Sequence, residues 1–150
     1  MQPLLETPWI VCAAPSLLND GKSDLSTLPW VAEYGLNESA MREYVQRAGF
    51  DPGKIRIVDP GDARYEIDAA LMGYGLCLST EIIVRKHLRD GTLVWVDTPL
   101  DETVVYDAIY RKGPIANPVR ALLDWLTAVC LPLSYQGKAR EVGPPNGNLH

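Results

Sequence analysis

Histidine is nearly missing from this chain: His87 and His150 are the two copies in 150 residues. His is the side chain most used for proton transfer near neutral pH. His87 follows Arg85-Lys86 in a helical stretch and His150 ends the chain, so neither is assigned catalysis. Cysteine is scarce too. Cys12, Cys77 and Cys130 are widely spaced, odd in number and embedded in apolar runs, which excludes a disulfide framework or CxxC metal ribbon and suits a reducing compartment. There is no GxSxG elbow and no cysteine in a polar loop to act as a nucleophile. Asp59 and Asp62 read as turn and cap residues rather than metal ligands. No catalytic residue, metal or cofactor is expected.

Positive charge is in short supply: 14 Lys and Arg against 19 Asp and Glu give a net charge of −5, which argues against gripping a polyanionic backbone. No apolar run approaches the roughly 18 residues of a membrane span, and the longest, Ile10-Val-Cys-Ala-Ala-Pro15, has the length of a strand. Met1-Gln-Pro-Leu-Leu-Glu6 lacks the basic start of a secretory signal. A soluble, cytoplasmic location without membrane contact is expected. Hydrophobic residues at 47% and charged ones at 22% are those of a globular chain.

Along the chain, Pro8–Ala14 is apolar without alternation, as in a strand covered on both faces, and Pro15 ends it. Asn19-Asp-Gly-Lys-Ser23 is turn chemistry, followed by a short strand at Trp30–Tyr34. Asn37 is placed to cap a helix with Met41, Tyr44, Val45 and Ala48 on one face and Gly49 as its stop. Lys54–Val58 reads as strand; Asp59-Pro-Gly-Asp62 turns into a helix capped by Asp62, with Ile67, Ala70, Leu71 and Tyr74 as its stripe. Leu76–Ser79 is strand, Thr80 caps a helix ending at Gly91, and Thr92–Val96 is strand. Beyond Asp97–Glu102 come a strand at Thr103–Tyr110 and an amphipathic helix opened by Pro118 and carrying Val119, Leu122, Leu123, Leu126 and Val129. Residues 132–150 hold prolines and glycines without periodicity and read as a disordered tail. The alternation of strands and helices predicts an α/β fold with a mainly parallel sheet and helices on both faces.

Gly73-Tyr74-Gly75 follows a helix and precedes a strand, the reverse of a phosphate loop, and reads as a helix stop. Tyr65, Tyr74, Trp95 and Trp125 are assigned to the core, because the acidic balance removes the electrostatic half of base stacking. What remains are two helix starts, Asn37-Glu38-Ser39 and Gly61-Asp62-Ala63, each after the carboxyl end of a strand. That is where open α/β sheets bind small ligands.

The order of these motifs resembles the effector-binding domain of LysR-type transcriptional regulators, in its distal half. An apolar strand ends in Ala14-Pro15, followed by Asp24-Leu25 and Leu28-Pro29-Trp30-Val31. A helix ending in Ala69-Ala-Leu-Met-Gly73-Tyr-Gly75 leads to Leu76-Cys-Leu-Ser79, and the next helix closes with His87-Leu88-Arg-Asp-Gly91-Thr-Leu93-Val94. Tyr106-Asp-Ala-Ile-Tyr110 and Leu122-Leu-Asp124-Trp125-Leu126 complete the pattern, which covers about residues 8–130.

The resemblance implies a fold like the type 2 periplasmic binding proteins, with a mixed sheet flanked by helices on both faces. Residues 1–97 would form effector-binding subdomain II, and residues 98–131 the return strand and terminal helix of subdomain I. It implies a small-molecule effector, a carboxylate or an amino acid, and a homodimer. DNA would be bound only through a winged helix-turn-helix that this sequence lacks. The implied ligand-binding residues are Glu33, Tyr34, Asn37, Asp59, Gly61, Asp62 and Ala63 at the cleft, with Tyr106 on the hinge strand. The rival readings are a solute-binding protein of the same fold and a self-association fragment without a working pocket.

Overall fold

A computed structural model describes residues 1–18 and 25–134, so the turn expected at Asn19–Ser23 and most of the expected tail lie outside the described residues. The chain divides into two compact units. Unit 2 is Thr7–Val104; unit 1 comprises Met1–Glu6 and the chain from Val105 on.

Unit 2 is built on β1 (Gln2–Ala13), which enters it at Thr7. It continues through β2 (Trp30–Val31), α1 (Leu36–Arg47), β3 (Ile57–Val58), α2 (Glu66–Leu71), β4 (Leu76–Thr80), α3 (Glu81–Asp90) and β5 (Val94–Val96). The strand order is β3-β2-β4-β1-β5. β2 runs parallel to β3 and β4, whereas β1 is antiparallel to β4 and β5. The sheet is therefore mixed, not mainly parallel. The reversal comes from β1, a strand that arrives from the other unit instead of through a β-α-β crossover.

Side chains alternate along β1, and that alternation separates two cores. Val11 and Ala13 join Trp30, Met41, Tyr44, Val45 and Val96 under α1. Ile10 and Cys12 point the other way, to Ala70, Cys77, Val84 and Leu93, with Ile67, Leu71 and Leu88 of α2 and α3 against them. Helices thus cover both faces of the sheet. Each fully buried aliphatic side chain here contributes about 1.5–3 kcal/mol by removal from water. Tyr44 brings a hydroxyl into this core and shares a 2.6 Å hydrogen bond with Thr98.

Several element ends differ from the sequence reading. β2, β3 and β5 are shorter than expected, since two or three residues suffice to make their ladder contacts. The N-cap of α1 is Gly35, at φ 111° and ψ −115°, a backbone conformation that L residues with side chains avoid. Asn37 stands inside the helix. Asp62 caps a single 3-10 turn, Ala63–Tyr65, and α2 itself begins at Glu66. At α3 the cap is supplied from a distance: the buried Thr7 hydroxyl accepts from the Ile82 N–H at 3.2 Å, while Thr80 makes no side-chain capping bond. Gly49 and Gly91 end α1 and α3 as expected, both at positive φ.

Unit 1 contains the first half of β1, most of β6 (Thr103–Ala108), α4 (Asn117–Cys130) and a 3-10 turn at Leu131–Leu133. β6 pairs with β1. Gln2 donates from Nε2 to Thr127 Oγ1 at 2.9 Å, and the Glu6 N–H donates to Ser134 Oγ at 3.3 Å. No residue of α4 is buried.

The four aromatics assigned to the core are exposed: Tyr65, Tyr74, Trp95 and Trp125. Each is displaced by its position. Tyr65 ends the 3-10 turn, Tyr74 follows the stop of α2, Trp95 lies on the edge strand β5, and Trp125 is on the uncovered side of α4.

Candidate functional site

The loops leaving β2 and β3 lie side by side, because these strands pair in parallel with Val31 opposite Val58. Glu33, Tyr34 and Asn37 follow β2; Asp59, Gly61, Asp62 and Ala63 follow β3. Seven of the eight predicted residues thus share one end of the sheet in unit 2. Tyr106 belongs to β6 in unit 1, where it is exposed.

The feature that joins the two loops is Glu66, which the sequence reading did not single out. Its Oε1 accepts from the Glu33 backbone N–H at 2.7 Å and from Asn37 Nδ2 at 3.0 Å. A carboxylate of the protein thus binds the loop ahead of α1 and the Asn37 side chain in the first turn of that helix. Asn37 serves this tie instead of capping its own helix. A glutamate opening a short helix after a 3-10 turn carries no marked sequence signal, and its partner lies 29 residues away.

The second loop is braced internally. Asp59 Oδ1 accepts from the Gly61 N–H at 2.7 Å. Asp62 accepts from the Arg64 N–H at 2.9 Å and forms a two-point pair with the Arg64 guanidinium at 3.0 and 2.8 Å. The guanidinium, and after it the backbone N–H, holds the Asp62 carboxyl below the usual aspartate range. Tyr34 and Tyr65 are exposed beside these loops, and the Arg64 guanidinium lies over the Tyr65 ring at 6.0 Å.

The topology marks the same end of the sheet. α1 covers one face and α2 and α3 the other, so the chain leaves the neighbouring carboxyl ends of β2 and β4 toward opposite faces. In open α/β sheets such a divergence leaves a crevice where ligands bind. It adds Ser79, Thr80 and Glu81, at the end of β4, to the predicted set.

A separate groove of about 140 Å³ is lined by Trp9, Ala40, Glu43, Tyr44, Arg47 and Leu78. None of the predicted residues borders it, and it is smaller than the roughly 300–1,000 Å³ of drug-sized ligand sites. Its rim is occupied by the two-point pair of Arg47 with Glu102, both contacts at 2.9 Å. Cys12 and Cys77 face each other across β1 and β4 with both thiols buried, and the neighbouring thiol and then burial push the Cys77 thiol well up. No cluster of three or more His, Cys, Asp or Glu suited to a metal occurs among the described residues. No helix among them is long and apolar enough to cross a membrane.

The LysR substrate binding domain family matches residues 1–131 of this sequence. The chain belongs to that family. Its relatives among LysR-type proteins are transcriptional regulators: the AhcY transcriptional activator HvrB of Rhodobacter capsulatus is 30% identical over 129 residues, 83% of this chain and 44% of HvrB. The regulatory domain of CrgA, a LysR-type regulator of Neisseria meningitidis, has the same fold, with TM-score 0.71, 19% identity, and 86% of this chain matched to 67% of that one. Full-length LysG of Corynebacterium glutamicum, solved with the bound effector Arg, gives TM-score 0.64 at 18% identity over 87% of this chain and 46% of LysG. The chain spans less than half the length of HvrB. The fold is that of a LysR effector-binding domain, like the type 2 periplasmic binding proteins.

Proposed function

We propose that this chain is the sensing part of a LysR-type regulator, a non-enzymatic cytoplasmic segment that binds a small effector at the carboxyl ends of β2, β3 and β4. The observation that carries the reading is the Glu66 tie, which fixes the starts of α1 and α2 next to each other at the predicted loops. Glu33, Tyr34, Asn37, Asp59, Gly61, Asp62 and Ala63 are the ligand-binding residues, and the Thr7–Val104 unit supplies effector-binding subdomain II. Because Glu33, Asp59 and Glu66 bring acidic side chains to these loops, an amino acid with a basic side chain suits this rim better than a simple carboxylate. LysG, whose effector is Arg, is a precedent for that class. Binding would act by favouring one of two arrangements of a homodimer, through a difference in affinity for the two. DNA contact would fall to a winged helix-turn-helix outside this sequence.

The test is a thermal-shift panel of arginine, lysine, glutamate and succinate. A basic amino acid at 100 times its Kd is expected to stabilise the chain by about 2.7 kcal/mol. Loss of the shift in Asp59→Asn and Tyr34→Ala would place binding at these loops; an equal response to all four compounds would refute the preference.

A further inference from the structure

The groove beside α1 is separate from the effector loops, and its lining defines what would fit it. Two residues of one sheet face make its floor: Trp9 on β1 and Leu78 on β4, both half-buried against the core under α1. The wall is Ala40, Glu43, Tyr44 and Arg47, whose spacing of three and four residues puts them on one face of α1. Ala40 contributes only a methyl group, and the floor beneath stays open. The volume of about 140 Å³ is that of a single ring; an engineered apolar cavity of about 150 Å³ in another protein takes up benzene.

Charge decides the rest. Arg47 is committed to Glu102 through Nε and Nη2, both at 2.9 Å, and Glu102 is itself fixed by the Trp9 N–H, which donates to its carbonyl at 2.8 Å. Glu43 Oε2 stands 3.8 Å from Arg47, beyond hydrogen-bond reach, and its side chain is 73% exposed. The Tyr44 hydroxyl is taken by Thr98 at 2.6 Å. One arginine between two glutamates leaves the rim with an excess of negative charge, next to a tryptophan, the aromatic ring that attracts cations best. An anion would have to break the two-point pair to find a partner, whereas a cation finds Glu43 open. We propose that this groove is a small-molecule site in its own right, for an aromatic amine of one ring: the ring lies on Trp9 and Leu78 and against Tyr44, and the ammonium meets the Glu43 carboxylate. The proposal does not depend on the effector loops, none of whose residues borders the groove.

The probe is benzylamine, titrated into the isotope-labelled 150-residue chain and followed by NMR at the Trp9 indole N–H and the amides of Ala40, Glu43 and Arg47. Saturable shifts of these groups are expected at millimolar concentration, the range of a one-ring ligand. Benzyl alcohol and benzoate should bind about fivefold more weakly, the usual contribution of an exposed ion pair. Glu43→Gln should weaken benzylamine by the same factor and leave benzyl alcohol unchanged, a difference that loss of structure would not produce. Ala40→Leu, at an exposed helical position where leucine is well tolerated, should fill the groove and abolish binding of all three. Excess arginine should leave the Trp9 shifts in place, which separates this groove from the effector loops. Equal binding of amine, alcohol and acid, shifts confined to Glu33–Asn37 and Asp59–Ala63, or an Ala40→Leu chain that binds as before would each overturn the proposal.

Discussion

Glu66 and Asn37, 29 residues apart, are joined by a 3.0 Å hydrogen bond, and the same carboxylate oxygen holds the Glu33 N–H at 2.7 Å. One side chain therefore ties the start of α1 to the start of α2. Hydrogen bonds to a charged group contribute about 1.5–3 kcal/mol, and a donor left half-buried without a partner loses its solvation as well. Glu66→Ala is expected to cost about 2 kcal/mol in urea unfolding. Glu66→Gln, which keeps an acceptor oxygen, should cost less than half as much. Equal costs would mean that the carboxyl charge, not the acceptor, fastens the two loops.

Gly75 is required by a close approach of backbone to backbone. A Cβ there would lie 2.7 Å from the Pro29 carbonyl oxygen, which also accepts from the Leu76 N–H at 2.8 Å, and 3.2 Å from Val31 Cγ2. Neither neighbour can yield without shifting β2 against β4. Overpacking of this kind costs about 1–3 kcal/mol, and Gly75→Ala should fall at the upper end in thermal or denaturant unfolding. A neutral substitution would show that the two strands are not held at this spacing.

The cysteines should separate by reactivity. Cys12 and Cys77 are buried, with the Cys77 thiol pushed up by its neighbour and by burial, whereas Cys130 is half-buried on α4. The thiolate is the reactive species. A thiol reagent at pH 8 should label Cys130 first, and Cys12 and Cys77 only at the rate at which unit 2 opens. Rapid modification of Cys77 in the native protein would contradict the closed core between β1, β4 and α3.

Asp62 should titrate low. Arg64 lowers its carboxyl relative to the unfolded chain, so its contribution to stability is complete above the unfolded aspartate value and is lost as pH falls through the lower, folded value. NMR titration of the side chain should find it below an ordinary aspartate, and Arg64→Ala should return it toward that value. An unchanged titration in the variant would assign the shift to the backbone N–H alone.

Much of the fold was legible because local chemistry and global fold agree: apolar runs gave β1 and β4, helical spacing gave α1 and α3, and Gly49 and Gly91 marked their ends. What local pattern could not show depends on partners distant in sequence. The antiparallel direction of β1 follows from its entry out of another unit. The cap of α3 comes from Thr7, 75 residues before Ile82. The loops of the candidate site were legible from strand ends and turn residues, but Glu66, which joins them, was not. The exposed aromatics went wrong for a related reason: a tyrosine or tryptophan next to a helical stripe reads as core until the covering layer is known, and Trp125 has none in unit 1.

The most direct measurement is amide NMR of the isotope-labelled chain titrated with arginine. The account predicts saturable shifts clustered at Glu33–Asn37 and Asp59–Ala63, with smaller ones at the end of β4, and their loss in Asp59→Asn. Shifts confined to the groove of Trp9 and Arg47, or none in any part of unit 2 for any basic amino acid, would contradict it.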